Sequence, residues 1–488
     1  MNRFRPSSLR HFRTTLVAAL AMSCASVLTA EALAENRSPS RPNIVVILVD
    51  DLGYGDLSSF NEQSRIETPA LAAFAQESMR LTDAHAPGPL CHMSRYGLMT
   101  GQYPYRVDVN RWRTNALIRP EQVTLASHLR TAGYHTAMVG KWHLGFEENG
   151  YDSPLPGGPV DVGFDEFFGI RASTDIPPYF YIRNDRAVDP PTDHIDANSS
   201  EGWSPIQGAF WRAGGISPEL DLADVLPTFS DEAIGAIDRH VHERPQQPLF
   251  LYVALPAPHT PWLPSEIYEK ASDVALYGDF VMMVDAVFSR IVDRLADHRI
   301  DDETLVVFTS DNGPVWYDED VAKYGHDSAG ELRGMKADAW EAGHRMPMIV
   351  RWPGHIAPAT QSDQLLCFTD LLATFADLTG VPLPPGAGPD SISFLPTLLQ
   401  HPYEHSEPRT RWVMQSGRGH FVVRDQDWKW IDRLGSGGFS KPNVVKPAID
   451  GPTSQLYNLA DDPGEQTNLA GQRSAKVAHM RAILESAK

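Results

Sequence analysis

The sequence predicts an α/β fold: a large, mixed and mostly parallel sheet sandwiched by helices, followed by a smaller C-terminal α+β subdomain with an antiparallel sheet. Three observations predict it. Apolar, β-branched runs of strand length alternate with helical patterns along most of the chain, which is typical of a sheet covered on both faces. Residues 412–430 alternate apolar and polar residues, as an antiparallel hairpin does. The length of 488 residues suits a large domain and a smaller one.

The elements follow in chain order. Residues 43–49 form the clearest first strand, because apolar and β-branched residues follow Asn43 without interruption. Thr68 and Pro69 are a typical N-cap and first helical residue, so a helix begins there. A helix at residues 124–132 ends before Gly133. Further strands are predicted at residues 134–139, 249–255, 305–309 and 348–350, and further helices at residues 280–295 and 477–484.

The N-terminus is typical of a secretory signal peptide. Four arginines precede an apolar stretch at residues 16–28, and Ala32-Leu33-Ala34 is a cleavage site. No later apolar run has membrane-spanning length, so we expect a soluble periplasmic or secreted protein. The predicted organisation is a signal peptide at 1–34, a catalytic domain at 35–385 and a C-terminal subdomain at 386–488. Residues 381–389 are the predicted linker, and residues 153–159 and 176–191 are predicted loops because they are rich in Pro and Gly.

The net charge and the cysteine content exclude some functions. The chain has a formal charge of −20, and the leader carries four arginines and Glu31, so the mature protein is near −23. Such a charge repels nucleic acid and anionic membranes, and we expect neither as a partner. Outside the leader, Cys91 and Cys367 remain. A disulfide between them is one hypothesis; the polar sequence around Cys91 favours a reactive position, and Cys367 is predicted to be a core thiol.

Polar residues follow four predicted strands. Asp50 and Asp51 follow the first, Lys141 and His143 the second, His259 the strand at 249–255, and Asp311 and Asn312 the strand at 305–309. In open α/β sheets, ligands bind at the carboxyl ends of the strands. The pattern therefore predicts one convergent site, although each ending taken alone is equally typical of a turn.

The acidic residues of this site predict a metal. Asp50, Asp51, Asp311 and Asn312 offer only oxygen ligands, which suit Ca²⁺ or Mg²⁺, and a solvated turn is the alternative for the Asp pair. Cys91 precedes a short predicted helix that ends at Gly101, and the N-terminus of a helix attracts an anion. A plain cysteine nucleophile with a histidine partner is a second interpretation.

Several motifs together resemble a known family. Cys91-His92-Met93-Ser94-Arg95 with Leu98, Thr100 and Gly101 is similar to the Cys-x-Pro/Ala-x-Arg modification signal of type I, formylglycine-dependent sulfatases, with Met93 at the Pro/Ala position. The chain thus resembles the arylsulfatase A-like branch of the alkaline phosphatase superfamily. The other motifs of the resemblance are residues 50–56, Gly140-Lys141-Trp142-His143, residues 258–261, residues 310–313, Gly334-Met335-Lys336, Glu341, Gly343, Arg345, Pro347, residues 456–459 and residues 462–465.

The resemblance implies a function for each matching residue. Cys91 would be oxidised to formylglycine by a maturation enzyme and would share a cation, Ca²⁺ or alternatively Mg²⁺, with Asp50, Asp51, Asp311 and Asn312. Arg95 would brace the hydrated aldehyde. The residues implied around the sulfate are Lys141, His143, His259 and Lys336, with His259 or Lys336 as the proton donor to the leaving alcohol and Asp311 as the acceptor of the attacking hydroxyl's proton.

The implied activity is hydrolysis of sulfate monoesters of a carbohydrate or an aryl substrate. Two other hypotheses stay open. One is a phosphomonoester or phosphodiester hydrolase on the same scaffold. The other is a non-catalytic binder of sulfated glycans, which requires that Cys91 is not converted. The sequence assigns specificity to loops at residues 106–113, 170–211 and 316–326, and it leaves the position of the sulfate, exo or endo action and the oligomeric state open.

Overall fold

The structure is a computed structural model that describes residue 1 and residues 41–404 and 407–488. The predicted signal peptide, apart from Met1, lies outside the described residues, and secretion therefore stays a prediction. Residues 43–488 form one compact unit, and the predicted boundary at residue 385 stays a prediction as well. No helix in the described part of the chain has the length and apolar character needed to cross a membrane.

The described residues form strands and helices over most of the chain. The strands are β1 (Asn43–Asp50), β2 (Met79–His85), β3 (His135–Lys141), β4 (Glu166–Ile170), β5 (Tyr181–Arg183), β6 (Arg186–Ala187), β7 (Asp193–Ile195), β8 (Gly214–Ile216), β9 (Leu249–Pro258), β10 (Thr304–Ser310), β11 (Arg345–Arg351), β12 (Thr360–Ser362), β13 (Leu366–Cys367), β14 (Arg411–Gln415), β15 (Phe421–Asp425), β16 (Trp428–Ile431) and β17 (Gln455–Asn458). The helices are α1 (Pro69–Gln76), α2 (Cys91–Thr100), α3 (Leu125–Thr131), α4 (Val225–Glu243), α5 (Ala275–Asp297), α6 (Asp318–Tyr324), α7 (Asp370–Thr379), α8 (Leu395–Leu399) and α9 (Ser474–Ala487).

The main sheet is mixed and mostly parallel, as predicted. Its strand order is β12-β2-β11-β10-β1-β9-β3-β4-β5-β6, and β13 pairs with β2. The central strands β10, β1, β9, β3 and β4 run parallel, whereas β11 is antiparallel to both of its neighbours. The parallel strands therefore end together at one edge of the sheet, which we call the carboxyl edge.

Helices cover both faces of this sheet. Along β1, Ile44, Val46 and Leu48 belong to one apolar core, and the residues between them belong to another. The first core includes side chains of α2, α3 and α7, and the second includes side chains of α1, α4 and α5. Because side chains alternate across a strand, an uninterrupted apolar strand is the pattern that a sheet buried on both faces requires.

Most predicted elements are confirmed, and two differ. Helix α5 begins at Ala275 and not at residue 280, because the buried carboxylate of Asp279 accepts hydrogen bonds from the main-chain N–H groups of Lys270 and Ser272 at 2.8 Å. The predicted loop at residues 176–191 contains β5 and β6, which extend the sheet in antiparallel pairing beyond β4. The strand at 348–350 is confirmed as part of β11, and the helix at 477–484 as part of α9.

The predicted C-terminal hairpin is part of a four-stranded antiparallel sheet with the order β14-β15-β16-β17. One face packs on α9 through Met480 and Leu484. The other face packs on Tyr103, Trp340 and the core thiol Cys367. The second sheet thus lies against the segments that follow α2 and β10.

Candidate active site

The predicted polar residues meet at the carboxyl edge of the sheet. Strands β1, β3 and β10 end at Asp50, Lys141 and Ser310, and β9 ends just before His259. Asp51 has a φ of 65°, so the chain turns sharply as it leaves β1. The parallel strands therefore bring residues from distant parts of the chain to one place.

Four oxygen donors form the floor of the site. Asp50, Asp51, Asp311 and Asn312 are all buried. The main-chain N–H of Asp51 donates to Asp311 Oδ1 at 3.4 Å, and Asn312 Nδ2 donates to Asp51 Oδ1 at 2.6 Å. Asn312 Oδ1 is buried without a hydrogen-bond partner among the described residues. Carboxylates with an unpaired amide oxygen fit a hard divalent cation such as Ca²⁺ or Mg²⁺.

Three cations lie on these carboxylates. Lys141 Nζ pairs with Asp50 Oδ2, Lys336 Nζ lies 2.6 Å from Asp51 Oδ1, and Arg95 lies 2.8 Å from Asp311 Oδ2. Burial alone would raise the pKa of the Asp50 carboxyl, but Lys141, His259, Arg95 and Lys336 together hold that pKa well below its usual range. The site therefore matches each buried carboxylate with a cation, as buried charges require.

The pKa of the other two carboxyls is raised. Burial, with the nearby charge of Asp50, raises the pKa of Asp311 to about 6 against the opposing effect of Arg95. Burial also raises the pKa of Asp51, and Asp50 adds to this effect. Two like charges so close to each other favour the uncharged form of one of them.

Cys91 is the first residue of α2, and its thiol faces this cluster. Its Sγ donates to Asp50 Oδ1 at 3.3 Å, and Lys336 Nζ lies 3.3 Å from the sulfur. Burial, with the charges of Asp311 and Asp50, raises the pKa of the thiol well above its usual value. A thiol that stays protonated is a poor nucleophile, so the raised pKa is unfavourable for a plain cysteine nucleophile.

Arg95 lies one helical turn after Cys91 and therefore faces the same side of α2. Its Nε donates to Asp311 Oδ2 at 3.0 Å, and its Nη1 donates to the carbonyl of Lys141 at 2.9 Å. One guanidinium thus ties α2 to the ends of β10 and β3. Gly101, in the left-handed conformation with a φ of 62°, ends the helix as predicted.

The two predicted histidines lie on the walls of the site. His259 Nδ1 donates to the carbonyl of Thr260 at 2.6 Å, and its Nε2 is 3.7 Å from Asp51 Oδ2. Burial and the charge of Lys336 lower the pKa of His259 to about 4. His143 packs edge-on against Trp112, with ring centroids 4.3 Å apart, and both of its ring nitrogens are buried without a partner among the residues described.

Four of these residues form a tight cluster of possible ligand atoms. Ligand atoms of Asp50, Asp51, Cys91 and His259 all lie within 4.8 Å of one another. The structure therefore brings all ten predicted site residues together at the carboxyl edge, with Lys336 reaching in from the segment after β10: Asp50, Asp51, Cys91, Arg95, Lys141, His143, His259, Asp311, Asn312 and Lys336.

Comparison with known proteins identifies the chemistry. A family model described as Sulfatase matches residues 42–381, which is more than half of the chain. The chain belongs to the sulfatase family. It is thus a sulfuric ester hydrolase, and the main sheet is the alkaline phosphatase-like sheet expected from the resemblance.

Relatives of this sulfatase match nearly the whole chain. An N-acetylgalactosamine-6-O-sulfatase of Bacteroides thetaiotaomicron is 31% identical, with 93% of this chain and 94% of that protein covered. Arylsulfatase A of Homo sapiens is 32% identical, with 90% and 86% covered. A solved chain described as 6S-sulf, from work on the metabolism of multiple glycosaminoglycans by Bacteroides thetaiotaomicron, has a TM-score of 0.79 at 30% identity, with 92% of this chain and 99% of that chain covered.

Three residues beside the site of this sulfatase were given no individual role by the sequence analysis. His92 lies between Trp112 and His143, with centroid distances of 5.9 and 5.7 Å. Ser310 Oγ accepts a hydrogen bond from the N–H of Leu52 at 3.0 Å and so fixes the turn after β1. Asp175 lies in the segment after β4. Recognition of β4 as a strand would have pointed to the residues that follow it.

Met93, the residue that departs from the family pattern, is buried within α2. It packs on Gly88, where an added Cβ would lie 3.0 Å from the Cε and 3.4 Å from the Sδ of Met93. The fold thus accommodates methionine at this position because residue 88 has no side chain.

Proposed function

We propose that this sulfatase is a periplasmic or secreted enzyme that removes the 6-sulfate of N-acetylgalactosamine, using a formylglycine made from Cys91 and a bound Ca²⁺. The observation that carries the proposal is the buried cluster in which Asp50, Asp51, Cys91 and His259 face one another within 4.8 Å. The Bacteroides thetaiotaomicron relative at 31% identity, an N-acetylgalactosamine-6-O-sulfatase, supports this choice of substrate. The N-terminal sequence pattern supports secretion.

Asp50, Asp51, Asp311 and the Oδ1 atom of Asn312 would hold the cation, together with residue 91. When bound, a divalent cation would lower the pKa of a hydroxyl group and polarise an S–O bond. Residue 91, once oxidised to the aldehyde and hydrated, would direct one hydroxyl at the sulfur, and the S–O bond to the leaving alcohol would break. Arg95 keeps Asp311 in place through two N–H donors on one oxygen. Removal of Arg95 would therefore leave a buried carboxylate without its fixed partner.

The remaining polar residues surround the sulfate. The Lys141 and Lys336 ammonium groups neutralise negative charge that develops on the sulfate oxygens, and His143 presents unpaired ring nitrogens from the opposite wall. Lys336 Nζ and His259 Nε2 both face Asp51. The two groups that could protonate the leaving alcohol therefore lie on the same side of the site.

The first experiment is mass spectrometry of the peptide that contains residue 91, from protein produced together with a formylglycine-generating maturation enzyme. We expect an aldehyde at residue 91. The converted protein should hydrolyse N-acetylgalactosamine 6-sulfate and should turn over the matching phosphate ester at least about 100-fold more slowly, because a site built for one charge distribution discriminates by differential transition-state binding.

Two variants control this experiment. Cys91→Ala removes the residue to be oxidised and should abolish turnover. Met93→Pro restores the family pattern in the first turn of α2, where proline is tolerated, and should be converted as fully as the parent. Faster turnover of phosphate than of sulfate would favour the phosphoester hydrolase. An unmodified thiol in both the parent and Met93→Pro, next to a converted control sulfatase, would favour the sulfated-glycan binder.

A further inference from the structure

Asp175 lies at the carboxyl edge of the sheet, outside the cluster described above. It belongs to the segment that follows β4, and this segment is fixed to the site because the N–H of His143 donates to the carbonyl of Arg171 at 3.0 Å. Asp175 is 5% exposed. A carboxylate this deeply buried requires polar partners.

Only one of the two carboxylate oxygens of Asp175 has a hydrogen-bond partner among the described residues. Its Oδ2 accepts a hydrogen bond from Arg212 Nη1, whereas its Oδ1 is buried without a partner within residues 41–404 and 407–488. The neighbouring hydroxyl of Ser173, also buried, has no partner in the same described set. Unpaired buried acceptors are costly, and they are retained where a ligand completes them.

Arg212 covers this carboxylate from the solvent side. Its Nη1 also donates to the carbonyl of Asp175 at 3.1 Å, and its guanidinium lies over the ring of Phe210 at 5.0 Å. The side chain is 49% exposed. The guanidinium is therefore anchored on Asp175 through Nη1, while about half of the side chain is accessible to solvent.

The pair lies beside the reacting centre. The main chain before Arg212 is joined to the segment after β9, because Thr260 Oγ1 donates to the carbonyl of Gly208 at 2.7 Å and the N–H of Trp262 donates to the same carbonyl at 2.9 Å. His259 directly precedes Thr260 in the chain. His259 in turn faces Asp51.

A sugar hydroxyl both donates and accepts a hydrogen bond. A carboxylate acceptor next to a guanidinium donor matches both properties. We infer that Asp175 and Arg212 bind the ring hydroxyl nearest the sulfated carbon and so select the sugar. For a sugar 6-sulfate this hydroxyl is the one on C4. The inference rests on the proposed function. The pair contacts the sugar and not the sulfate, so it determines specificity without taking part in sulfur chemistry.

The test compares three substrates with the converted protein. For Asp175→Asn, kcat/KM on N-acetylgalactosamine 6-sulfate should fall roughly 10- to 100-fold, the effect of one lost charged hydrogen bond. The preference over the C4 epimer, N-acetylglucosamine 6-sulfate, should fall by a similar factor. On 4-nitrophenyl sulfate, which has no ring hydroxyl, the change should stay within about threefold. Arg212→Gln should behave in the same way, and Asp196→Asn, at a fully exposed carboxylate, is the matched control.

A binding measurement separates the two proposals. In the Cys91→Ala background, calorimetry should show that N-acetylgalactosamine 6-sulfate binds and that Asp175→Asn raises its Kd roughly tenfold or more. Equal losses on the sugar and on the aryl sulfate would overturn the inference and assign Asp175 to the reacting centre or the fold. An unchanged preference between the epimers would also overturn it. Turnover of the aryl sulfate without turnover or binding of either sugar by the parent protein would instead overturn the proposed substrate, and this inference with it.

Discussion

Asn312 shows how a single residue can indicate what its site binds. Its Nδ2 donates to Asp51 Oδ1 and to the carbonyl of Gly313, which fixes the orientation of the amide. Its Oδ1 is then left buried without a partner in the described part of the chain, in a residue that contacts the carboxylate of Asp51. A fourth oxygen in such a position is unfavourable on its own and favourable beside a divalent cation.

Removal of the proposed calcium should therefore destabilise the fold, and the size of this effect should depend on Asn312. A ligand that binds only the folded state at 100 times its Kd adds about 2.7 kcal/mol to the free energy of unfolding. We expect Ca²⁺ to raise the melting temperature of chelator-treated Cys91→Ala protein, and Asn312→Leu to require a higher Ca²⁺ concentration for the same shift. The measurement is thermal unfolding across a Ca²⁺ titration.

The control for this titration is Asn110→Leu, which changes an exposed asparagine in the same chemical way. It should respond to Ca²⁺ as the parent does. An identical Ca²⁺ dependence in Asn312→Leu would show that Asn312 is not a ligand.

Sequence reasoning predicted individual site residues where the chemistry was unusual for the position. Charged residues directly after apolar strands, such as Asp50 and Lys141, have few structural explanations. Ser310 was missed because a serine at a strand end is ordinary, and its hydrogen bond to Leu52 depends on the distance between two strands. Asp175 lies in the loop at residues 170–211 to which the sequence assigned specificity, but it was not singled out because the strand before it was not recognised.

Among the elements, α2 was predictable and β4 was not. Gly101 ends α2 in the left-handed conformation that favours glycine, so the end of the helix that carries Cys91 and Arg95 could be predicted. Strand β4 has only five residues and contains Gly169. A glycine there is required because an added Cβ would lie 1.8 Å from the carbonyl oxygen of Gly140 in β3, a constraint that only the paired strands reveal.

The turn between β14 and β15 should make stability depend on pH. His420 is buried there, and burial, with the charges of Arg433 and Arg418, lowers its pKa to about 4. In the unfolded chain the pKa is about 6.5, so the unfolded state binds more protons between these values. Stability is therefore present above about pH 6.5 and is lost as the pH falls toward 4.

The expected contribution of His420 is at most about 3 kcal/mol, since one pKa unit corresponds to about 1.4 kcal/mol. Urea unfolding at pH 7 and pH 4.5 measures it. His420→Gln should reduce the loss of stability on acidification, whereas His194→Gln, at a histidine with 66% of its side chain exposed, should leave it unchanged. A parent-like loss in His420→Gln would contradict the assignment.

At the scale of the whole molecule, the attachment of the second sheet was beyond sequence reasoning. Lys429 of β16 is fully buried and pairs with Glu341 and Glu465, each at 2.9 Å. Residues 341 and 429 are 88 positions apart. Nothing local in the sequence distinguishes such a lysine from an exposed one, although the alternating pattern of the strands predicted the sheet itself.

The charge of the whole molecule opposes the charge that the site needs. The chain carries −20, whereas the site balances three carboxylates with Arg95, Lys141 and Lys336. The proposed divalent cation would make the site locally positive. The salt concentration determines how far from the protein the negative potential of the whole chain acts on an approaching anionic substrate. The Debye length is about 30 Å at 0.01 M and about 8 Å at 0.15 M, so only the local field remains at the higher concentration.

We therefore expect kcat/KM for a sulfated oligosaccharide to rise by about twofold or more between 0.01 and 0.15 M NaCl at constant Ca²⁺, because salt screens the long-range repulsion. The rise should be smaller for 4-nitrophenyl sulfate, which carries a single charge. Parallel measurements of both substrates across the salt range give the two slopes. A decrease of kcat/KM with salt for the oligosaccharide would mean that the cations at the carboxyl edge dominate at long range despite the negative charge of the chain.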